Sequence, residues 1–276
     1  MNILQTHLTT NTPTNRHIYI VAVLSFLRHF KHLLPHLSPD EYQSLRQTWI
    51  TINNENEAPI IQRRLENKPT DRQLQKGGVH LSFQDLFTAR DKLKIGSSER
   101  LLFSMFMLIP PVRGGDYCAT QFVYDDQVPT EKNFIRISGD NMTVVLNDFK
   151  TAKQYKQIVN QLPPELVQEI LTSLELSPRS YLFVNSKGAP YSRSTFILWA
   201  RRLLTRILGV DFTLGLFRHI YISHFFATHD VSTLTEKQIL DISTQMGHSP
   251  QLFRLYKWVK DGNNPLTIHQ EIQDDD

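Results

Sequence analysis

Cysteine is almost absent from this chain: Cys118 is the one thiol in 276 residues. A lone thiol forms no intrachain disulfide and no zinc site built on several thiolates, and it fits a reducing, intracellular compartment. Long apolar runs are missing too. The longest, Ile18 to Leu24, falls far short of the roughly 20 residues a membrane helix needs. Met1 to Thr14 lacks the charged-then-apolar layout of a secretory leader. No membrane partner and no secretion are expected, which leaves the sequon Asn141-Met142-Thr143 without a use. No segment repeats. The chain also lacks a clustered set of carboxylates of the kind that holds paired metal ions, which argues against two-metal chemistry. Charge of one sign does not dominate: 30 Lys and Arg face 27 Asp and Glu, a net +3. Because three of the acids are the terminal Asp274-Asp275-Asp276, the rest is more basic than the total suggests. That balance permits nucleic acid as a partner without requiring it.

What is present is an ordinary globular composition, 40% hydrophobic and 10% aromatic, enough for one large domain or a small one followed by a larger one. Apolar residues recur at helical spacing over Asn15 to Leu34, and Pro35 ends that segment. Ser38-Pro39-Asp40-Glu41 has the form of a capped helix start and predicts a helix to about Ile52, with more helix over Ala58 to Glu66. Residues Asn67 to Gly78 are polar, contain Pro69 and end in Gly77-Gly78, so they read as a linker. Helices are expected at Ser82 to Leu93 and Ser98 to Ile109, the second nearly all apolar and therefore buried. Short strands are expected at Gln121 to Tyr124, Phe134 to Ser138 and Thr143 to Phe149. Further helices follow at Glu165 to Leu174, Ser194 to Leu208, Leu216 to Thr228, Glu236 to Met246 and Pro250 to Val259. The fold class is thus mainly α with a small antiparallel β-sheet (α+β). A helical module at 1–75 precedes a larger domain at 79–260 and an acidic tail at 261–276.

Four stretches of the larger domain carry chemistry. In Pro110-Pro111-Val112-Arg113-Gly114-Gly115-Asp116-Tyr117, an arginine follows a buried helix at a glycine-loosened turn, where its fork can hold a phosphate or simply pair with Asp116. Lys150, Lys153 and Lys156 recur at intervals of three at the end of a strand pair, as a solvated turn or as phosphate contacts. Arg218 and His219 stand together at the start of an apolar helix. A guanidinium buried there costs several kcal/mol unless it meets an anion. Finally, Met246-Gly247-His248-Ser249-Pro250 leads to Tyr256-Lys257-Trp258.

In that order, arginine, lysine, arginine-histidine, glycine-histidine and tyrosine resemble the signature of the tyrosine recombinases, the family of lambda-type integrases. The segments Ile109 to Tyr117 and Phe149-Lys150-Thr151 look most like integrases of large DNA viruses and virophages. The resemblance runs from about Ser82 to Val259 and, more loosely, takes in the N-terminal module as a DNA-binding, core-binding-like domain. It implies Arg113 and Arg218 as the catalytic arginines, Lys150 as the hairpin lysine, His248 at the late histidine position and Tyr256 as the nucleophile. Asp116 and His219 would support the arginines, and Lys153 and Lys156 would touch DNA. Two positions depart from the pattern. Gly215 stands where the family carries His or Lys, and the interval from His248 to Tyr256 is one residue shorter than in bacterial members.

The implied activity is site-specific cleavage and rejoining of double-stranded DNA through a 3′-phosphotyrosyl intermediate, by a homotetramer on paired sites, in integration of a viral genome among other settings. No cofactor, metal or ATP is called for. Three other readings compete: a DNA-binding protein descended from a recombinase and weakened in catalysis, a type IB topoisomerase-like enzyme, and a metal site among His29, His32 and His36 or among His219, His224 and His229.

Overall fold

Backbone hydrogen-bonding capacity explains where the elements begin, since each helix start must satisfy its leading amides. The computed structural model describes residues 13–124 and 131–258. The expected tail at 261–276 lies outside the described residues. The chain divides into two compact units, Met1–Lys68 and Pro69–Asp276.

The first unit is a pair of packed helices, α1 (Pro13–His29) and α2 (Pro39–Leu65). Ser38 and Glu41 form a reciprocal capping box with Pro39 in the first turn, as the sequence announces. The two helices expected before and after residue 52 are one, and Pro59 lies inside it. A proline removes one amide bond from a helix interior, yet the helix extends six residues beyond it. Among the described residues of this unit Ile20, Leu27 and Tyr42 are the buried apolar ones, and the Tyr42 hydroxyl donates to the Leu27 carbonyl.

In the second unit the supposed linker is structured. Thr70 and Gln73 build another capping box at the head of α3 (Asp71–Gln75). Lys76 pairs with Asp211, and Gly77 turns the chain in the left-handed region. Next come α4 (Phe83–Asp91) and α5 (Ser98–Met107), the latter buried at Leu101 through Met107. A four-stranded sheet follows, in the order β1 (Gln121–Tyr124), β2 (Phe134–Ser138), β3 (Asn141–Leu146), β4 (Ile158–Gln161).

The expectation of an antiparallel sheet needs correction. β2, β3 and β4 are antiparallel neighbours, but β1 runs parallel to β2, so the sheet is mixed. β4 and the one-turn helix α6 (Ala152–Tyr155) were not foreseen, because Ile158–Gln161 is only four residues long and half polar.

The remaining helices are α7 (Pro164–Leu176), α8 (Arg193–Leu208), α9 (Leu214–Thr228), α10 (Glu236–Gln245) and α11 (Pro250–Tyr256). One large core joins α4, α5, one sheet face, α7, α8 and the first half of α9. A smaller core of Ile222, Ile239, Met246 and Phe253 clasps the second half of α9, α10 and α11. Among the described residues no helix is long and apolar enough to cross a membrane.

Candidate functional site

Two buried arginines show what the fold does with a guanidinium. Arg90, 1% exposed, donates to Glu165 and Glu169, and Arg100 closes the network with a 2.9 Å bond to Glu169. That is a structural ion cluster, with each charge answered. Arg218 is 3% exposed and enters no ion pair among the described residues. Its Nη2 donates to the Met246 carbonyl at 3.2 Å, and its Nε is buried without a partner. Burial pushes its pKa below the ordinary guanidinium value, with nearby Arg113 adding to the effect. A cation left in this state calls for an anion from outside.

An open pocket of about 180 Å³ shows where that anion would sit. Arg113, Gly114, Thr213, Gly215, Leu216, Arg218, His219, Tyr256 and Gln73 line it. Arg113 follows the buried end of α5, and its Nη1 is also buried and unpartnered. A Cβ on Gly114 would lie 2.5 Å from Leu214 Cβ, so glycine there lets the head of α9 close on the arginine's turn. Thr213 precedes α9 without capping it. The helix start, with its positive dipole end, therefore opens into the same pocket as the two guanidinium groups.

Tyr256 is held by rings on either side. Helix α10 ends in a Schellman turn: Gly247 N–H donates to Thr244 O at 2.8 Å and His248 N–H to Ser243 O at 3.1 Å, with Gly247 at φ +70°. Ser249 caps α11 and Pro250 starts it, so His248 is pinned between two helix ends. Its ring lies parallel to Tyr256, 5.3 Å away at 1°. The Arg218 guanidinium sits 4.8 Å from the Tyr256 ring centre. His219 packs 4.4 Å from the Tyr256 ring and 4.1 Å from Trp258, and its Nδ1 is 2.9 Å from the Tyr256 carbonyl, which only accepts, so Nδ1 donates. Phe253 anchors α11 against Phe225 and Phe226 at 5.7 and 5.3 Å. The short interval from His248 to Tyr256 thus spans one seven-residue helix and still brings both rings together.

Both imidazoles are neutral at ordinary pH. Burial, aided by Arg218 and Arg113, lowers His248 to about 3, and burial with Arg218 lowers His219 to about 4. His248 Nδ1 faces the Ser249 carbonyl at 3.4 Å, which leaves Nε2, buried and unpartnered, as the lone-pair side.

The chain is similar to XerA recombinase. The match covers 98% of this chain and 88% of that one, at 16% identity and a TM-score of 0.46. Two structures of XerH site-specific recombinase are similar as well. The pre-cleavage complex bound to difH substrate matches 70% of this chain and 52% of that one, at 15% identity and TM-score 0.42. The post-cleavage complex on palindromic difH substrate matches 86% and 68%, at 14% and 0.44. No family model matches the sequence, and no curated protein does either.

Other expected residues fall at the margin of the pocket or outside it. Asp116 is 2% exposed and its Oδ1 lies 2.8 Å from Arg193 Nη2. The expected pairing with Arg113 is not among the described ion pairs. Burial raises the Asp116 carboxyl above its usual range although Arg193, Arg113 and Arg218 pull it down. Lys150, Lys153 and Lys156 are exposed on the β3–β4 connection and do not line the pocket. That connection is tied to the site by Thr151 Oγ1, which donates to the Gly247 carbonyl at 2.8 Å.

Gln73, Thr213, Arg193 and Trp258 were missed. Only the Thr70-to-Gln73 capping spacing is a signal for any of them, and it lies in a polar stretch whose Pro69 and Gly77-Gly78 read as a linker. Two of the histidines weighed as metal ligands are engaged in ring stacking instead, His224 on Phe83 at 4.2 Å and His229 on Phe225 at 4.3 Å. Among the described residues no three of His, Cys, Asp or Glu group to hold a metal ion.

Proposed function

We propose that this protein is a site-specific DNA recombinase that cleaves and rejoins double-stranded DNA through Tyr256. The observation that carries the reading is Arg218: a buried guanidinium that enters no ion pair among the described residues, facing a tyrosine ring and a second arginine in one open pocket. Phosphodiester chemistry needs these parts. The Tyr256 phenol oxygen attacks phosphorus, forming an O–P bond, while the bond to the 5′ oxygen breaks. The phosphotyrosyl ester keeps the energy of the broken bond, so a 5′ hydroxyl can later reverse the step. Arg113 and Arg218 hold the nonbridging oxygens, whose charge grows during attack. Asp116 and Arg193 brace the turn that carries Arg113.

A phenol, with an ordinary pKa near 10, must shed its proton during attack. His248 Nε2 takes the phenol proton as the O–P bond forms and, being too weakly basic to keep it, passes it on to water. Developing charge on the phenol oxygen is therefore met mainly by the two arginines. Lys150 protonates the departing 5′ oxygen, reaching from the β3–β4 connection, with Lys153 as its substitute and Lys156 on the flanking backbone. The first unit would serve as a second DNA-binding module, and the active assembly would be a homotetramer on paired sites inside the cell. The segments Ile109 to Tyr117 and Phe149 to Thr151 favour the integrase branch of large DNA viruses.

The test is a nicked duplex that traps covalent protein–DNA adduct. Wild type forms adduct and Tyr256→Phe forms none. Adduct that persists in Tyr256→Phe overturns the nucleophile. A second reading, a DNA-binding protein without strand transfer, is favoured by Gly215, which brings no side chain to the pocket. Salt-sensitive DNA binding with no adduct on any candidate end would establish that reading instead.

A further inference from the structure

We infer that Gln73 is a catalytic residue that donates a hydrogen bond to the phosphate in the Tyr256 pocket; the inference rests on the phosphodiester reading above. Gln73 comes from α3, a segment the sequence presents as a linker, yet it lines the pocket with Arg113, Arg218 and Tyr256. Its amide is already oriented. Oε1 accepts from Thr70 N at 2.8 Å and Thr70 Oγ1 at 2.9 Å, and the Gln73 backbone amide donates back to Thr70 Oγ1 at 3.2 Å. With the oxygen spent on the capping box, the two N–H donors are what the side chain can offer the pocket, and they have no hydrogen-bond partner among the described residues.

The neighbouring wall explains why a donor is needed. Gly215 is exposed, and a Cβ built on it would meet only Thr213 Oγ1, at 3.8 Å, so position 215 itself brings no side chain and no charged or amide donor to the pocket. The segment bearing Gln73 is also fixed from its other end. Lys76 pairs with Asp211, which Arg201 grips through both oxygens at 2.9 and 2.8 Å. Asp211 is lowered to about 2 by these two partners. Residues 70–76 are thus clamped at both ends, and Gln73 is a preset donor instead of a loose polar side chain.

Two substitutions separate this role from simple helix capping. Gln73→Glu keeps an acceptor for Thr70, and Glu is as good a capping-box residue as Gln, but it replaces the donors with a negative oxygen. Gln73→Ala removes both. If Gln73 binds phosphate, single-turnover cleavage of the nicked duplex falls about tenfold or more in Gln73→Ala, the scale of one hydrogen bond to a charged group. It falls further in Gln73→Glu, while Gln73→Glu keeps the wild-type melting temperature. If Gln73 only caps α3, the order reverses: Gln73→Glu matches wild type and Gln73→Ala alone suffers, which overturns the inference.

A second readout does not depend on strand transfer. The side-chain ¹⁵NH₂ signals of Gln73, assigned by their loss in Gln73→Glu, should shift on titration of full-length protein with inorganic phosphate. They should not shift with chloride at matched ionic strength. A shift without any DNA adduct would sink the recombinase reading and leave the phosphate contact standing. Adduct formation with no shift and an unimpaired Gln73→Glu would do the opposite.

Discussion

At the scale of single residues, the site is defined by charges that are left unanswered. Arg90 and Arg218 are equally buried, but only Arg90 meets carboxylates. The sequence showed that Arg218 begins an apolar helix and so would need an anion. It did not show whether an acid elsewhere in the chain would supply one, since that depends on which helices meet. The two histidines beside Tyr256 give a measurable consequence. Both are depressed, His219 to about 4 and His248 to about 3, from an ordinary 6.5. Below pH 6.5 the unfolded chain takes up protons that the folded chain refuses. Stability from these groups is therefore complete above pH 6.5 and is lost as pH falls toward 4 and then 3. The loss reaches at most about 1.4 kcal/mol per pH unit for each imidazole. Urea midpoints measured from pH 7 to pH 4.5 should fall steadily in wild type and more gently in His248→Asn. Equal slopes would show that His248 is protonated in the folded protein.

At the scale of elements, two glycines at opposite kinds of helix end should behave in opposite ways. Gly247 closes the Schellman turn at φ +70°, and an added Cβ would lie 3.2 Å from Ile158. Gly247→Ala should cost about 1–2 kcal/mol or more from the left-handed backbone alone, and should displace His248 with the turn. Gly215 sits in the first turn of α9 with open space beside it. Gly215→Ala should gain about 0.5–1 kcal/mol from helix propensity. Denaturant unfolding of the two variants checks both signs, and a destabilised Gly215→Ala would mean the backbone there is not ordinary helix. Most of these elements were legible: the capping box at Ser38, Pro39 at the helix start, the buried run of α5 and Gly247 before His248 all carry local signals. β4, the parallel β1 and the continuity of α2 through Pro59 were not. Strand direction and pairing are settled by packing on the large core, which no four-residue window reveals.

At the scale of the whole molecule, every residue lining the Tyr256 pocket lies between 73 and 256, inside the second compact unit. A fragment of residues 69–276 should therefore keep phosphate binding at the pocket. If the first unit is a DNA-binding module, the fragment should lose much of its affinity for duplex DNA and show a shallower salt dependence, because fewer phosphates are contacted. Fluorescence anisotropy across a salt series reads both quantities. Unchanged DNA affinity would remove the first unit from the proposed interface.

The sequence by itself determined the helical character, the small sheet near the middle of the chain, and the order of arginine, lysine, arginine-histidine, histidine and tyrosine. These follow from local periodicity, caps and residue type. Tertiary structure alone decided that Arg113, Arg218 and Tyr256 share one pocket, that Asp116 pairs with Arg193, and that Gln73 stands beside them while Lys150 remains at a distance. Those relations join residues up to 183 positions apart, from Gln73 to Tyr256. They come from the docking of helices through a common core, which local pattern does not encode.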